Sequence, residues 1–304
     1  MKRFIYILFG ILLLASANAQ QLPQYTQYML NEFAINPAVA GKEEFADVRS
    51  NNRYQWVGIT DAPRTYMLTV HGPMKLKNMG LGMNLFTDIV GPTRRVGLNF
   101  SYAYHIKLNE ETKVSLGLSA GVLQWGIDGH KLQLHDAGDE NLLTQYQTTY
   151  VPDFGAGVLV YSKKYYIGIA VPQMYQSKIN LYPGVESKSK LVTHFNVNGA
   201  YKFNLDDDFI IEPSFILKYA TPAPMKLDVG VRGIYREQVW LGAAYRHNDA
   251  VTALVGYLYK NYLMIGYSYD FSTTNIRRYS SGTHEVMLGL RFSRQHNRAW
   301  VADK

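Results

Sequence analysis

From about residue 43 to residue 292 the chain repeats one pattern, in which apolar side chains alternate with small or polar ones between turn residues. In one such segment Val114, Leu116 and Leu118 alternate with Ser115 and Gly117. A period of two residues places the two kinds of side chain on opposite faces of a β-strand. The pattern therefore predicts strands that each have one apolar and one polar face.

The strands also predict a closed barrel, because their connections alternate in length. We count fourteen strands, beginning near residues 43, 63, 79, 93, 111, 152, 163, 190, 207, 224, 237, 250, 261 and 282. Connections after even-numbered strands are short, whereas the long ones, roughly 128–151, 172–189 and 271–282, all follow odd-numbered strands. Soluble β-sandwiches do not sort their loops by length in this way, whereas outer-membrane barrels have short periplasmic turns and longer outer loops. We expect an all-β fold, a transmembrane antiparallel β-barrel of about 14 strands.

The two faces of the strands fit that expectation, since in such a barrel the apolar face meets lipid and the polar face lines the lumen. Several charged residues fall on inward positions: Asp228, Arg232, Arg246, Asp270 and Arg291. Tyrosine and phenylalanine cluster near strand ends, where an aromatic ring suits the membrane interface. We expect these residues to form the interfacial girdles: Tyr102, Tyr104, Tyr161, Tyr165, Tyr166, Tyr201, Phe203, Tyr257, Tyr259 and Tyr262.

The N-terminus has the pattern of a secretory signal peptide. Lys2 and Arg3 precede an apolar run over residues 4–14, and small residues end it at Ala19. We expect cleavage near Ala19, which lowers the formal charge from +7 to +5 and delivers the chain to the outer membrane. The predicted organisation is a signal peptide (1–19), a pre-barrel segment (20–42), the barrel (43–293) and a periplasmic C-terminal tail (294–304).

The pre-barrel segment lacks the alternation of the barrel. It contains Pro23 and Pro37, and its aromatic residues Tyr25, Tyr28 and Phe33 favour packing against another part of the molecule. We expect it to plug the lumen or to lie at the periplasmic mouth, and we favour a largely plugged barrel.

The same segment carries two motifs in order, Gln-Tyr-Thr-Gln-Tyr-Met over residues 24–29 and Asn-Pro-Ala-Val-Ala-Gly over residues 36–41. They resemble the opening of the PorP/SprF family of outer-membrane proteins. Further matches are Arg53, Gln55 and Trp56, which resemble the family's R-x-Q-W, and Gly80 and Gly82 followed by Asp88 and Gly91. The residues that the resemblance marks as plug or partner contacts are Gln24, Tyr25, Gln27, Tyr28, Met29, Asn36, Pro37, Gly41, Arg53, Gln55 and Trp56.

The resemblance implies an integral outer-membrane component of the type IX secretion and gliding machinery of Bacteroidota. Such a protein would assist the export or surface anchoring of a secreted adhesin or enzyme that carries a type B C-terminal sorting domain. Its implied partners also include other components of the machinery, a periplasmic lipoprotein and outer-membrane lipid, but no nucleic acid. The alternative is a passive porin or a transporter of hydrophobic solutes.

The sequence offers no chemistry that points to an enzyme. The absence of cysteine excludes disulfides, iron–sulfur sites and thiol nucleophiles, and the common hydrolase and nucleotide-binding motifs are missing. A loop cluster of His130, His135, Asp136, Asp139 and Glu140 could bind a divalent cation, but such loops are usually only solvated. The His-Asn-Asp stretch at 247–249 fits a hairpin turn better than a surface active site. We expect no catalytic residue, no cofactor and no metal.

Overall fold

The computed structural model of the protein describes residues 23–75, 78–132, 146–181, 189–221 and 223–292. The predicted signal peptide and the predicted C-terminal tail therefore lie outside the described residues. Within the described ranges no helix is long and apolar enough to cross a membrane, a finding that does not bear on strands.

The described chain consists almost wholly of antiparallel strands, with four short 3₁₀ turns. The strand segments are β1 (Ala46–Tyr54), β2 (Arg64–Pro73), β3 (Met79–Val90), β4 (Thr93–Lys107), β5 (Lys113–Asp128), β6 (Tyr146–Tyr161), β7 (Tyr165–Val171), β8 (His194–Tyr201), β9 (Phe203–Asn204), β10 (Phe209–Ala220), β11 (Ala223–Tyr235), β12 (Val239–Arg246), β13 (Ala250–Tyr259), β14 (Leu263–Ser272) and β15 (Thr283–Phe292). The 3₁₀ turns are Glu32–Ala34, Pro37–Val39, Gly129–Lys131 and Asn275–Arg278.

These segments close into a barrel of fourteen strands. The short β9 continues β8 beyond Lys202, and both pair with β10, so the two count as one strand. Every strand pairs with its neighbour in sequence, and the last strand returns to the first, with Ala46 opposite Phe292 and Tyr54 opposite His284. Closure leaves no strand edge of the barrel wall facing lipid, where unpaired backbone groups would be costly. The predicted fold is confirmed.

The two ends of the barrel differ in their connections, as the sequence predicted. Ala46 and Phe292 lie at the end with the short turns, which we call the periplasmic end. The longer connections lie at the other, outer end. The connection between β5 and β6 is shorter than predicted, because β6 begins at Tyr146, six residues before the predicted start, where Tyr146 pairs with Asp128.

The faces of the strands alternate as predicted, with apolar side chains on the lipid-facing surface and polar ones inside. Most of the predicted girdle is outside as well, including Tyr104, Tyr201 and Tyr259. The prediction is wrong for Tyr161 and Tyr166, which are buried in the lumen. In β6 the odd-numbered residues face inward and in β7 the even-numbered ones do, so the register of each strand, rather than its position near a strand end, decides where an aromatic side chain points.

We expect a charge on the lipid-facing surface to destabilise the barrel. Leu118 lies near the middle of β5 and is 65% exposed. Leu118→Arg should lower the free energy of unfolding by about 2–4 kcal/mol, because the guanidinium must be placed in hydrocarbon. The measurement is equilibrium urea unfolding in lipid vesicles, with Leu118→Ala as the control. Equal stabilities of the two variants would contradict a lipid-facing position.

Candidate functional site: a plugged lumen

Residues 23–42, which we call the plug, run through the inside of the barrel from its outer half to its periplasmic end. Near the outer end, Thr26 contacts Asp270 of β14 and Glu285 of β15. At the periplasmic end, the carbonyl oxygen of Ala40 lies 2.8 Å from Nε2 of His105 on β4. The plug therefore crosses the lumen along the barrel axis.

A buried ion network anchors the outer half of the plug, and its centre is Arg53. The guanidinium of Arg53 donates to Asp270 Oδ2 at 2.7 Å and to Glu285 Oε2 at 3.2 Å, and the residue is 1% exposed. Arg53 on β1 and Glu285 on β15 are directly opposite in the register that closes the barrel. The network thus lies on the seam between the first and the last strand.

The plug supplies hydrogen-bonding groups that this network uses. The backbone N–H groups of Thr26 and Gln27 donate to the Glu285 carboxylate at 2.7 and 3.1 Å. The Thr26 hydroxyl lies 3.0 Å from both carboxylate oxygens of Asp270, and it accepts from Arg53 at 2.5 Å and from Arg246 at 3.2 Å. One plug residue therefore connects two buried cations and two buried carboxylates.

These contacts bind the plug tightly because the charges are shielded from water. Asp270 also accepts from Arg246 at 3.0 Å and from Thr252 at 2.8 Å, and Arg246 donates to Asp228 at 3.1 Å. A buried carboxylate that loses its partners costs several kcal/mol. Withdrawal of the plug would leave Glu285 without two of its donors.

The Asn-Pro-Ala-Val-Ala-Gly motif fixes the periplasmic half of the plug. The Asn36 side chain accepts from the N–H of Ala38 at 2.9 Å and donates to the carbonyl oxygens of Val158 and Ile169 at 3.1 and 3.3 Å. It caps the 3₁₀ turn at Pro37–Val39 and at the same time binds β6 and β7. The motif therefore shapes the plug and attaches it to the wall.

Glycines on the wall make room for this motif. A Cβ added at Gly117 of β5 would collide with the backbone N of Ala38, and one added at Gly157 of β6 would collide with Asn36. Gly41 has a φ of +74°, which an L-residue rarely adopts, and it lies against Gly80. The inward glycines thus allow the backbones of plug and wall to approach closely.

Apolar contacts fill the rest of the interface. Phe33 packs against the ring of His71, with the centroids 4.7 Å apart. Members of the plug take part in all three buried apolar clusters of the described chain: Tyr28, Met29 and Leu30 in the first, Phe33, Ala38, Val39 and Ala40 in the second, and Tyr25 in the third. The core of this protein is accordingly the interface between plug and barrel wall.

The sequence matches a known protein family over most of its length. The family model described as type IX secretion system membrane protein PorP/SprF matches residues 17–290. The chain belongs to the PorP/SprF family. It is therefore a membrane component of a type IX secretion system, in the outer membrane. A search of curated protein sequences found no relative.

Comparison with solved structures places this PorP/SprF barrel among outer-membrane barrels. The CymD monoaromatic hydrocarbon channel is 13% identical, with a TM-score of 0.50, and the match covers 90% of this chain and 94% of that chain. A FadL homologue of Pseudomonas aeruginosa is 12% identical, with a TM-score of 0.49, and the match covers 92% and 96% of the two chains. The likeness to CymD supports the barrel fold alone.

The structure separates the residues that the family motifs single out. Arg53 lies in the ion network, whereas Gln55 and Trp56 lie in the outer connection after β1, where the N–H of Gln55 donates to Pro63 and that of Trp56 donates to Thr283. Gln24 and Tyr25 line a cavity in the outer half of the lumen. Gln24 and Tyr25 belong to the plug, as do the remaining motif residues, Gln27, Tyr28, Met29, Asn36, Pro37 and Gly41.

Sequence reasoning did not include Thr26 and Glu285 among the site residues, although both are central to the network. The inward position of Glu285 could have been read from its alternation with Val286 in the last strand. The predicted barrel makes the first and last strands neighbours, but nothing in the sequence fixes the register that places Glu285 opposite Arg53.

The other candidates from the sequence do not join this site, except Asp249, whose carboxylate lies 3.5 Å from the guanidinium of Arg246. His130 lies in the outer connection after β5, where its ring contacts Asp128, and His135, Asp136, Asp139 and Glu140 lie outside the described residues. No group of three or more potential metal ligands occurs in the part of the chain that the structure describes. His247 and Asn248 form an exposed hairpin turn in which Asn248 has a φ of +54°.

We expect Arg53 to be required for docking of the plug. Arg53→Ala should cost about 3–5 kcal/mol, because Asp270 and Glu285 remain buried with one cation fewer. The chain has no cysteine, so a single Met29→Cys reporter can be labelled with a maleimide. Labelling of this buried position should be at least tenfold faster in Arg53→Ala. The matched control is Arg236→Ala, which removes a solvent-exposed pair with Asp208; unchanged labelling in Arg53→Ala would rule out the anchoring role.

We expect Gly117 to be required for seating the Asn-Pro-Ala-Val-Ala-Gly motif. Gly117→Ala should weaken docking by about 1–3 kcal/mol through overpacking against Ala38. Gly233→Ala is the matched control, because an added Cβ there meets nothing closer than 3.9 Å. The same cysteine reporter measures both variants, and equal labelling rates would contradict close packing at Gly117.

Proposed function

We propose that this PorP/SprF-family barrel is a closed docking platform. It would bind a secreted protein through a type B C-terminal sorting domain at its outer end and assist the export or surface anchoring of that protein. The observation that carries the proposal is the plug. A lumen crossed by an ion-paired, apolar segment is unsuited to conducting a polypeptide or a stream of solutes.

The outer end supplies a surface for such a partner. Among the described residues, Tyr279 is 76% exposed and Tyr175 is 61% exposed, and both lie in outer connections. Exposed aromatic side chains are over-represented at protein interfaces. The proposal assigns a binding role, since the described residues of the site hold the plug through ion pairs and hydrogen bonds.

We expect an isolated type B sorting domain to bind the full-length barrel in nanodiscs. Replacing Tyr175 and Tyr279 with Ser should weaken binding at least tenfold, measured by surface plasmon resonance, because two exposed aromatic contacts are lost. The matched control replaces Tyr257 and Tyr259, which lie at the periplasmic end of β13. No measurable binding to the wild-type barrel, with several sorting domains tested, would refute the docking role.

A passive porin or a transporter of hydrophobic solutes is the second candidate. The apolar-walled cavity in the outer half of the lumen favours it, and the similar CymD structure is named as a hydrocarbon channel.

Conductance separates the two candidates. We expect the wild-type barrel to show no steady conductance in planar bilayers, and a variant without residues 24–41 to conduct, because the plug fills the lumen. A steady open state in the wild-type protein would favour the porin.

A further inference from the structure

The outer half of the lumen contains a cavity of about 130 Å³ that the plug does not fill. Its volume is enough for on the order of ten waters. We call it the outer cavity. Strands β2, β3, β4, β6, β8, β10 and β11 contribute to its wall, and plug residues form its floor.

Two lysines on one wall of the outer cavity lack counter-ions. Lys218 on β10 and Lys226 on β11 are directly opposite in the strand register, and both line the cavity. Within the described residues neither has a carboxylate at salt-bridge distance, and the neighbouring Asp228 is bound by Arg246 at 3.1 Å. Like charges placed directly opposite each other destabilise a strand pair.

Most other lumenal cations are matched by carboxylates; among the described residues Arg291 is an exception, and its guanidinium lies over the ring of Phe45. Five lumenal arginines are each paired with an aspartate or glutamate, in the pairs Arg49–Asp47, Arg53–Asp270, Arg95–Asp88, Arg232–Glu212 and Arg246–Asp228. Compared with these paired arginines, the lysine pair is a local excess of positive charge that lines the outer cavity. An anion placed there would bind two ammonium groups at once.

The remaining walls define what kind of anion fits. Ile35, Met67 and Phe86 give the cavity an apolar side. Among the lining residues the one carboxylate is that of Asp153. It is on β6, which β7 and β8 separate from β10, and it accepts from Asn99 at 3.1 Å. The negative charge of a ligand is therefore favoured at the lysine end and disfavoured at the Asp153 end.

Further polar atoms in the wall have no hydrogen-bond partner among the described residues. They are Tyr25 Oη, Asn84 Oδ1 and Asn99 Oδ1, and all three residues line the cavity. Tyr25 is only 4% exposed, so its hydroxyl is not supplied by bulk solvent. Buried polar atoms without partners are rare in native proteins, and these three adjoin the cavity without opening onto it.

We propose that the outer cavity binds a small amphiphilic anion. Lys218 and Lys226 hold its anionic head, and its apolar stem lies against Ile35, Met67 and Phe86. Because Tyr25 and Ile35 belong to the plug, the ligand contacts plug and wall together and stabilises the docked plug.

The test uses the full-length protein in nanodiscs of zwitterionic lipid, with octanoate carrying ¹³C at its carboxyl carbon as the probe. Nuclear magnetic resonance of that carbon distinguishes protein-bound octanoate from octanoate dissolved in lipid, for which empty nanodiscs are the blank. We expect the labelled octanoate to bind saturably. Neutral octan-1-ol should displace it at least tenfold less well than unlabelled octanoate does. Equal competition by the two compounds would show that charge is not recognised and would overturn the proposal.

Matched variants locate the site. The double substitution Lys218→Gln and Lys226→Gln should weaken octanoate binding at least tenfold, whereas Lys163→Gln with Lys260→Gln, in exposed periplasmic turns, should not change it. Heat-modifiable migration shows whether the first double variant folds. If it does not fold, octanoate binding is measured in Ala223→Phe instead, because that substitution fills the cavity and keeps both lysines. Undiminished binding in a folded lysine variant or in Ala223→Phe would refute the site.

Discussion

The Glu285 carboxylate holds the structure together at its most demanding point, the seam where the last strand meets the first. It receives the backbone N–H groups of Thr26 and Gln27 and pairs with Arg53 across the seam. Arg53 and Glu285 are 232 residues apart in the chain. Because both charges are buried, each needs the other and the plug needs both. Closure of the barrel and docking of the plug are therefore coupled in one network.

This coupling explains why the interior is built from two unlike halves. On the side of β1 and β12 to β15 the lumen is filled by ion pairs and by Tyr28 and Met29 of the plug. Around β5 to β7 it is filled by backbone, because inward glycines let the Asn-Pro-Ala-Val-Ala-Gly turn lie directly against the wall. Toward the outer end the outer cavity remains, and two lysines without a carboxylate at salt-bridge distance line it.

In this member of a secretion family the N-terminal segment closes the lumen. The outer surface is therefore the part of the barrel that the proposed function uses. The plug contacts strands around the wall through hydrogen bonds, ion pairs and apolar packing. The proposed partner would contact the outer connections, where Tyr175 and Tyr279 are exposed. A ligand in the outer cavity would contact the plug in the outer half of the lumen, which is the end of the barrel where the proposed partner binds.

The sequence by itself determined the number of strands, their two faces and the side on which long connections lie, because alternation and turn residues are local properties of the chain. It also indicated that residues 24–41 pack against something, through Tyr25, Tyr28 and Phe33. It did not determine which way Tyr161 and Tyr166 point, since a shift of one residue in register reverses the face of a strand. Nor did it reveal Thr26 and Glu285 as site residues. Those roles arise only when barrel closure pairs β1 with β15 and the plug docks against both strands from inside the lumen. The pairing of distant charges is therefore a property of the tertiary structure.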